Sequence, residues 1–368
     1  MSNMKFICVF GFISVLSGCN LTVENAGGGI VTSSDERIEC GETCSASYSN
    51  TSNEPVTLTA MPDAGYEFTG WEGRCAGIEE CVVSIGAVSG DKSVIAVFSP
   101  ASSLKISLGR SYTCALVDSQ VTCWGYNRQG QADVPELGDP VAISLGDDHT
   151  CVIDDNGVTC WGLNNYGQTD VPDSLVNPSA IGLGDDHSCA IDDHGVICWG
   201  YNINGEIEVP DNLVNPIAIA AGRFHTCALD DNGVTCWGYN FAGRTDVPDL
   251  VNPVAISAGG SHTCALDDNG VTCWGYNVNG QTDVPESLVN PVAISGGWIH
   301  SCALDDNGVT CWGSNNNGNV DTPDLANPVA IDAGGSHTCA LDDNGVTCWG
   351  LNNYGQADVP DTVASVSL

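Results

Sequence analysis

His262-Thr-Cys-Ala-Leu-Asp-Asp-Asn-Gly-Val-Thr-Cys-Trp-Gly275 is the stretch on which the fold turns. With its flanks it recurs from near residue 101 to the C-terminus. A Trp-Gly step marks each copy, at Trp124, Trp161, Trp199, Trp237, Trp274, Trp312 and Trp349, with spacings of 37 or 38 residues. A period of that size means a stacked array or a closed ring of small units. Within a copy, Thr263 to Leu266 and Val271 to Trp274 are short β-favouring runs. The Asp-Asp-Asn-Gly between them is a turn, since Asp and Asn bond their own backbone and Gly takes positive φ freely. The two runs therefore form a hairpin. Pro253 to Ser257 is a further strand ahead of it, and a short strand is expected near Gln281 to Val284. About four strands per copy is the content of a propeller blade. No stretch has a sustained helical period, which argues against an α-solenoid.

The cysteines agree with the hairpin. Each copy carries Cys-x8-Cys: Cys114 with Cys123, Cys151 with Cys160, Cys189 with Cys198, Cys227 with Cys236, Cys264 with Cys273, Cys302 with Cys311, and Cys339 with Cys348. Equal residue numbers on either side of the turn put the two cysteines opposite each other, within reach of a cross-strand disulfide. Zinc sites use closer Cys pairs, so the spacing does not suit a metal.

The pattern Gly-x-x-His-[Ser/Thr]-x-Ala-Leu, an acidic-Gly turn, then Val-x-x-Trp-Gly-x-Asn-x-x-Gly-Gln resembles the regulator of chromosome condensation repeat family. The resemblance covers residues 104 to about 368. It implies an all-β chain with a seven-bladed β-propeller. The repeats here are shorter than the family's and add the cysteine pair. The family includes a nucleotide exchange factor that docks on chromatin and secreted inhibitors of β-lactamases. No residue here matches a motif that would carry either activity across.

The rest of the chain reads in order. Residues 1–19 are a targeting segment: Lys5, then an apolar run from Phe6 to Leu16 too short to span a bilayer, then Leu16-Ser-Gly-Cys19. This resembles a bacterial lipoprotein signal and implies lipidation of Cys19; the alternative is an ordinary secretory signal. Asn20, in place of Asp, favours the outer membrane by the same resemblance. Residues 20–29 are expected to be a tether, 30–98 a small β-domain and 99–103 a linker, with the propeller filling 104–368. Val56 to Ala60, Ala64 to Phe68, Gly70-Trp71 and Lys92 to Phe98 resemble a divergent internalin-type B-repeat, which implies a β-grasp-like fold and a spacer role. Cys40, Cys44, Cys75 and Cys81 remain to be paired. Proximity favours Cys40 with Cys44 and Cys75 with Cys81, and three connectivities are possible. Ala364 to Leu368 repeats the strand that opens each blade, so a spare strand is expected to lock the ring.

A net charge of −37 argues against nucleic acid or anionic membrane surfaces as partners. Six copies carry a histidine (His149, His187, His225, His262, His300 and His337), and the first has Tyr112 instead. One per blade keeps the imidazoles apart, so a structural hydrogen bond is expected rather than a metal ring. The Asp-Asp-Asn-Gly turns offer too few oxygens for calcium. Near-identical blades also lack the unlike, converging groups of an active site. The reading is therefore non-enzymatic and needs no cofactor.

Where the copies differ is informative. Successive loops of a blade alternate between faces, so the Gly-x-x-His and Trp-Gly-x-Asn-x-x-Gly loops share one face. There the sequence varies, with Arg110, Arg128, Arg223, Phe224, Phe241, Trp298, Ile299, Tyr166 and Tyr354 as candidate binding residues. Arg244 lies on or beside the same face, and Trp298 with Ile299 puts two large apolar groups in an exposed turn. Aromatic and arginine side chains on variable loops suit protein recognition. Arg110 and Arg128 would steer an acidic partner. The expected molecule is an exported, lipid-anchored monomer at the bacterial outer membrane or cell surface, binding a protein partner. A carbohydrate-binding module using Tyr166, Phe241, Trp298 and Tyr354 is the alternative, and an enzyme with an unrecognised site the third.

Overall fold

A computed structural model describes residues 19–25, 29–35, 37–40, 44–48, 55–62, 66–75, 81–84, 92–100 and 104–364. The chain divides into two units, Met1–Ala101 and Ser102–Leu368.

Among its described residues the first unit has eight strands: β1 (Cys19–Asn25), β2 (Gly29–Ser33), β3 (Glu39–Cys40), β4 (Cys44–Tyr48), β5 (Pro55–Pro62), β6 (Tyr66–Gly73), β7 (Cys81–Ser84) and β8 (Lys92–Pro100). They form two four-stranded sheets, β4-β1-β8-β6 and β3-β2-β5-β7. Leu21, Val23, Tyr48, Trp71, Val94 and Ala96 from the first sheet share a core with Val31, Val56, Leu58 and Val83 from the second. Where the resemblance implied a β-grasp-like unit, the described residues are two sheets over one core without a helix.

The tether expected at 20–29 is replaced by structure. Leu21 and Val23 are fully buried and alternate with outward residues, so β1 is an internal strand of its sheet, parallel to β8. Its period of two carried the core signal that the nearby glycines masked. Strand β8 likewise runs through Pro100, into the expected linker. Cys75 pairs with Cys81. Cys44 is disulfide-bonded, and the Cys40 side chain lies outside the described residues.

The second unit is seven three-stranded sheets, one per copy, spanning 105–125, 142–162, 180–200, 218–238, 255–275, 293–313 and 330–350. Blade 1 shows the pattern: β9 (Lys105–Leu108), β10 (Tyr112–Val117) and β11 (Gln120–Gly125), joined antiparallel in the order β11-β10-β9. All six residues of the middle strand His262–Asp267 are buried, because its own sheet flanks it and neighbouring blades cover it.

The hairpin register puts Cys264 opposite Cys273. The other blades repeat it, and all seven cross-strand disulfides form with Cα–Cα distances of 4.0–4.1 Å. Cys114 bonds Cys123, Cys151 bonds Cys160, and Cys189 bonds Cys198. Cys227 bonds Cys236, Cys302 bonds Cys311, and Cys339 bonds Cys348. The two sulfurs of a pair are not equally sheltered. The first cysteine of each pair is buried on the middle strand. Its partner (Cys123, Cys160, Cys198, Cys236, Cys273, Cys311 or Cys348) is half-buried, because it sits on the outermost strand of its sheet.

The fourth strand expected near 281–284 is a pair of local turns. Asn277 Nδ2 donates to Asp283 Oδ1 (2.7 Å) and Thr282 N donates to Asn277 Oδ1 (3.0 Å). Asp283 N bonds Gly280 O and Val284 N bonds Thr282 O, so these groups are used within the loop and build no ladder. Pro285 comes next and has no N–H to offer.

The histidines join the blades. His187 Nε2 meets Thr226 Oγ1 of the next blade at 2.8 Å, and Thr226 Oγ1 donates to Glu206 O. The hydroxyl spends its one proton on the carbonyl, so the imidazole donates through Nε2. Trp237 Nε1 donates to that same carbonyl (2.9 Å). The indole is thus a blade-packing group with its polar tip satisfied. The glycine of Gly-x-x-His is steric in origin: a Cβ on Gly184 would lie 2.3 Å from both Gly222 O and His187 Cε1.

The same bonds close the ring. His337 Nε2 lies 2.9 Å from Thr113 Oγ1, and both Thr113 Oγ1 and Trp124 Nε1 donate to Gln356 O. Asp332 adds a lock at this seam. Its Oδ2 accepts Leu108 N (2.7 Å) from blade 1, and its Oδ1 accepts Ser295 Oγ (2.7 Å) from blade 6. The spare closing strand was expected from Ala364 to Leu368, and 365–368 lie outside the described residues. Ahead of them, Asp361–Ala364 form one helical turn. Val363 is 1% exposed and packs with Leu104, Leu108 and Val346. Deleting 361–368 removes that buried side chain, at a cost of about 2 kcal/mol. The melting temperature should fall by on the order of 5 °C; an unchanged value in a thermal melt would show that the seam closes without it.

Candidate binding face

The Gly-x-x-His loops of blades 2 to 7 and the Gly109–Tyr112 loop of blade 1 converge on the ring axis and line a recess of about 80 Å³. Trp298 stands in its wall, half-buried, between two guanidiniums. Arg110 Cζ lies 4.1 Å and Arg223 Cζ 5.2 Å from the indole centroid. Each arginine is also paired, Arg110 with Asp147 and Arg223 with Asp185, both at 3.2 Å. Burial pushes the Asp147 and Asp185 carboxyls upward, and neighbouring carboxylates add to it, Asp148 and Asp186 at Asp147 and Asp147 and Asp186 at Asp185, partly offset by the arginines; Trp298 also hydrogen-bonds Asp185.

This arrangement corrects two expectations. Trp298 and Ile299, expected in an exposed turn, are both half-buried. The indole caps the axis because the arginines and Asp185 hold it there. Arg110, expected to steer an acidic partner, has its charge met by Asp147. Arg244, also placed on or beside this face, is 2% exposed; it donates to Phe241 O and Gly260 O.

Further out, aromatic rings run from blade to blade. Tyr166 meets Tyr201 edge-on at 5.0 Å, Tyr201 and Phe224 are 6.3 Å apart, and Phe224 meets Tyr239 at 6.3 Å. Tyr239 stacks on Phe241 at 6.1 Å, and Phe241 lies 6.3 Å from Tyr276. Tyr166 and Phe241 are each 53% exposed, which makes this arc solvent-facing. Tyr354 meets Tyr126 at 4.9 Å on the far side of blade 1, where Arg128 lies 6.0 Å over the Tyr126 ring. These two tyrosines share a recess of about 370 Å³ with Arg110 and Trp298. The geometry therefore links Arg110, Arg223, Phe224 and Trp298 at the axis. It places Tyr166 and Phe241 in the outer arc, and Tyr354 and Arg128 beside blade 1. Ile299 enters none of these ring contacts.

Sequence reasoning missed Tyr126, Tyr201, Tyr239 and Tyr276. Each directly follows a Trp-Gly, where the other copies have Leu163, Ser314 and Leu351. It also missed Glu206, which takes the place of the usual Gln and is fully buried; its carboxylate accepts Asn204 N and Nδ2.

The Asp-Asp-Asn-Gly turns are occupied differently. Asp305 accepts Asn307 N and Val289 N, and Asp306 accepts Asn290 Nδ2. The carboxylates hold the connecting loops, which accounts for their recurrence without a bound ion.

Residues 141–168, 179–206, 217–244, 254–281, 292–319 and 329–356 match the Regulator of chromosome condensation (RCC1) repeat. The propeller belongs to the RCC1 repeat family. The first blade lies outside the matched residues; it has Tyr112 for the histidine and Asp118-Ser119-Gln120 in its turn. Residues 19–102 match the Divergent InlB B-repeat domain, so β1 belongs to that domain. No curated protein sequence matches the chain. Among solved structures, the ectodomain of the receptor kinase ACR4 from Arabidopsis thaliana is 27% identical, with a TM-score of 0.57, over 69% of this chain and 97% of that one. The ectodomain of Physcomitrella patens CR4 is 25% identical, TM-score 0.56, over 67% and 73%. Prp20p from Saccharomyces cerevisiae shares the fold at 17% identity, TM-score 0.56, over 68% and 83%. Within this RCC1 propeller the aromatic arc lies on blades 2 to 5, and blades 6 and 7 carry Ser314 and Leu351 at the matching position.

Proposed function

We propose that this chain is an exported, non-enzymatic binding protein whose variable propeller face engages another protein. One observation carries the reading. The RCC1 loops of one face present a run of solvent-facing aromatic rings, while the Asp-Asp-Asn-Gly turns are near-identical and have their carboxylates engaged. Large aromatic side chains on a rigid scaffold are the usual anchors of a protein interface.

Export is supported by the seven blade disulfides, which persist in oxidising compartments. The propellers of ACR4 and CR4 are ectodomains as well. No helix among the described residues is long and apolar enough to cross a membrane. Lipid on Cys19 is the proposed anchor. Strand β1 begins at that residue, so such an anchor would hold the small domain at the bilayer without a tether.

Photo-crosslinking on intact cells tests the binding face. The reactive residue is placed at position 241, with a control at Asn269 in a turn. A discrete protein adduct at 241 alone is the expected outcome. Adducts at both sites equally, or at neither, would reject this face as a protein interface and turn attention to glycans.

A further inference from the structure

We infer that the Tyr166–Tyr201 end of the aromatic arc receives lysine or arginine side chains from an extended basic segment of the protein partner. The inference rests on the protein-binding reading of the face and names the chemistry of what binds.

The arc already shows how it handles cations. Arg223 lies 4.8 Å over Phe224 and Arg244 lies 5.3 Å over Tyr239. Cations are attracted to the negative faces of aromatic rings, and more so where water is displaced. Among the described residues, no arginine or lysine of the chain sits over Tyr166 or Tyr201. That end of the arc is open.

Carboxylates surround it. Glu206 replaces a neutral Gln at this one blade interface and is buried, while Asp186 is half-buried nearby. Burial, then the charges of Glu206 and Asp186, raise the Tyr201 hydroxyl above its ordinary value. Arg223, whose charge reaches Asp186, is already paired with Asp185. A net charge of −37 adds a long-range field that draws positive segments and repels acidic ones. Aromatic faces beside carboxylates that form no ion pair among the described residues select a cation over a neutral sugar, which has no charge to offer either group.

The repeats supply variants that fold. Gln occupies the Glu206 position in four other copies, and in the preceding one it accepts the same bond: Tyr166 N donates to Gln168 Oε1 (2.9 Å) as Asn204 N donates to Glu206 Oε2 (2.8 Å). Leu163 and Leu351 occupy the Tyr201 position elsewhere in the ring. Glu206→Gln and Tyr201→Leu therefore remove the charge and the ring without a new backbone demand. Asp324→Asn, on an exposed loop beside the turns, removes one charge elsewhere.

The test is fluorescence anisotropy with the disulfide-intact protein at about 150 mM salt, where distant surface charges are largely screened. The probes are a labelled peptide of five Arg-Gly repeats and its Glu-Gly counterpart. The Arg-Gly peptide should bind and the Glu-Gly peptide should not. Tyr201→Leu and Glu206→Gln should each weaken binding by about fivefold. Asp324→Asn should leave it within about twofold, as a lone screened charge would. No binding, or equal loss in all three variants, overturns the inference; equal loss would mean diffuse attraction to an acidic protein. A protein adduct at position 241 together with no Arg-Gly binding would keep the interface and reject its basic partner.

Discussion

Acidification from pH 6 towards pH 4 should destabilise the propeller steeply, and the interblade histidines should set the slope. Burial holds His149, His262 and His337 down at about 3, and His187 and His300 at about 4; His225 is also well below its ordinary value of 6.5. Each Nδ1 is buried with no hydrogen-bond partner among the described residues, so a proton there would create an unmet donor. The sign follows from proton binding. Below about pH 6.5 the unfolded chain takes up protons that the folded chain refuses, so stability present at neutral pH is lost as pH falls towards the folded values. Each histidine contributes at most about 1.4 kcal/mol per pH unit, or about 8 kcal/mol per pH unit for six acting together.

Carboxylates raised by burial oppose this. Asp332 is raised to about 6 by burial, and Asp147 and Asp185 are raised by burial and repulsion. Their folded forms hold protons that the unfolded chain releases, so they favour folding on acidification. Asp148 and Asp186, raised for the same reason, add to them, so the carboxylates offset at least half the histidine slope and leave at most about 4 kcal/mol per pH unit. The shrinking net charge eases repulsion further. The decisive measurement is therefore a comparison. Denaturant melts of the parent and of His300→Asn at several pH values should differ in slope by about 1 kcal/mol per pH unit between pH 6 and pH 4. Parallel slopes would show that the histidines do not govern acid stability.

Reduction of the seven blade disulfides should unfold the propeller near body temperature. Each closes a hairpin with a sequence separation of 9. A loop of this size constrains the unfolded chain by about 2–3 kcal/mol. Even partial additivity over seven blades reaches the about 5–15 kcal/mol that separates a typical folded domain from its unfolded state. The first cysteine of each pair is 0–1% exposed and its partner is half-buried, so reduction in denaturant, where both sulfurs are open to attack, is the complete route. Protein unfolded in denaturant with a phosphine reductant and then dialysed should fail to recover cooperative melting. The oxidised control treated alike should recover it. Native-like melting of material with all its thiols free would show that core packing alone holds the ring.

The repeat was plainly legible because it is redundant. Seven copies of Trp-Gly and seven Cys-x8-Cys pairs set the hairpin register, and the register set the disulfides. The fourth strand was not legible. A short β-favouring run such as Gln281 to Val284 can ladder or turn, and the Asn277–Asp283 clamp decides for the turn. Strand β1 was hidden because its partners, β4 and β8, are distant in sequence. Of the candidate face, the individual residues were visible but their grouping was not. Tyr201 and Phe224 come from different blades, and no pattern within one copy relates them. The tyrosines after Trp-Gly could have been found by aligning the copies at that position.

By itself the sequence determined the blade: its hairpin, its covalent brace, the number of copies and their membership of a propeller. Local periodicity and turn chemistry act within about forty residues, and the repeat spells them out seven times. Tertiary structure alone decided which side chains are spent and which are free. Trp298 reads as an exposed anchor, yet Arg110 and Arg223 from blades far apart in sequence enclose it. Asp332 stands where four other copies have Ser, and it bridges the seam of the ring. Closing the ring brings residues more than two hundred positions apart into contact, and pairings at that range leave no periodic trace in the chain.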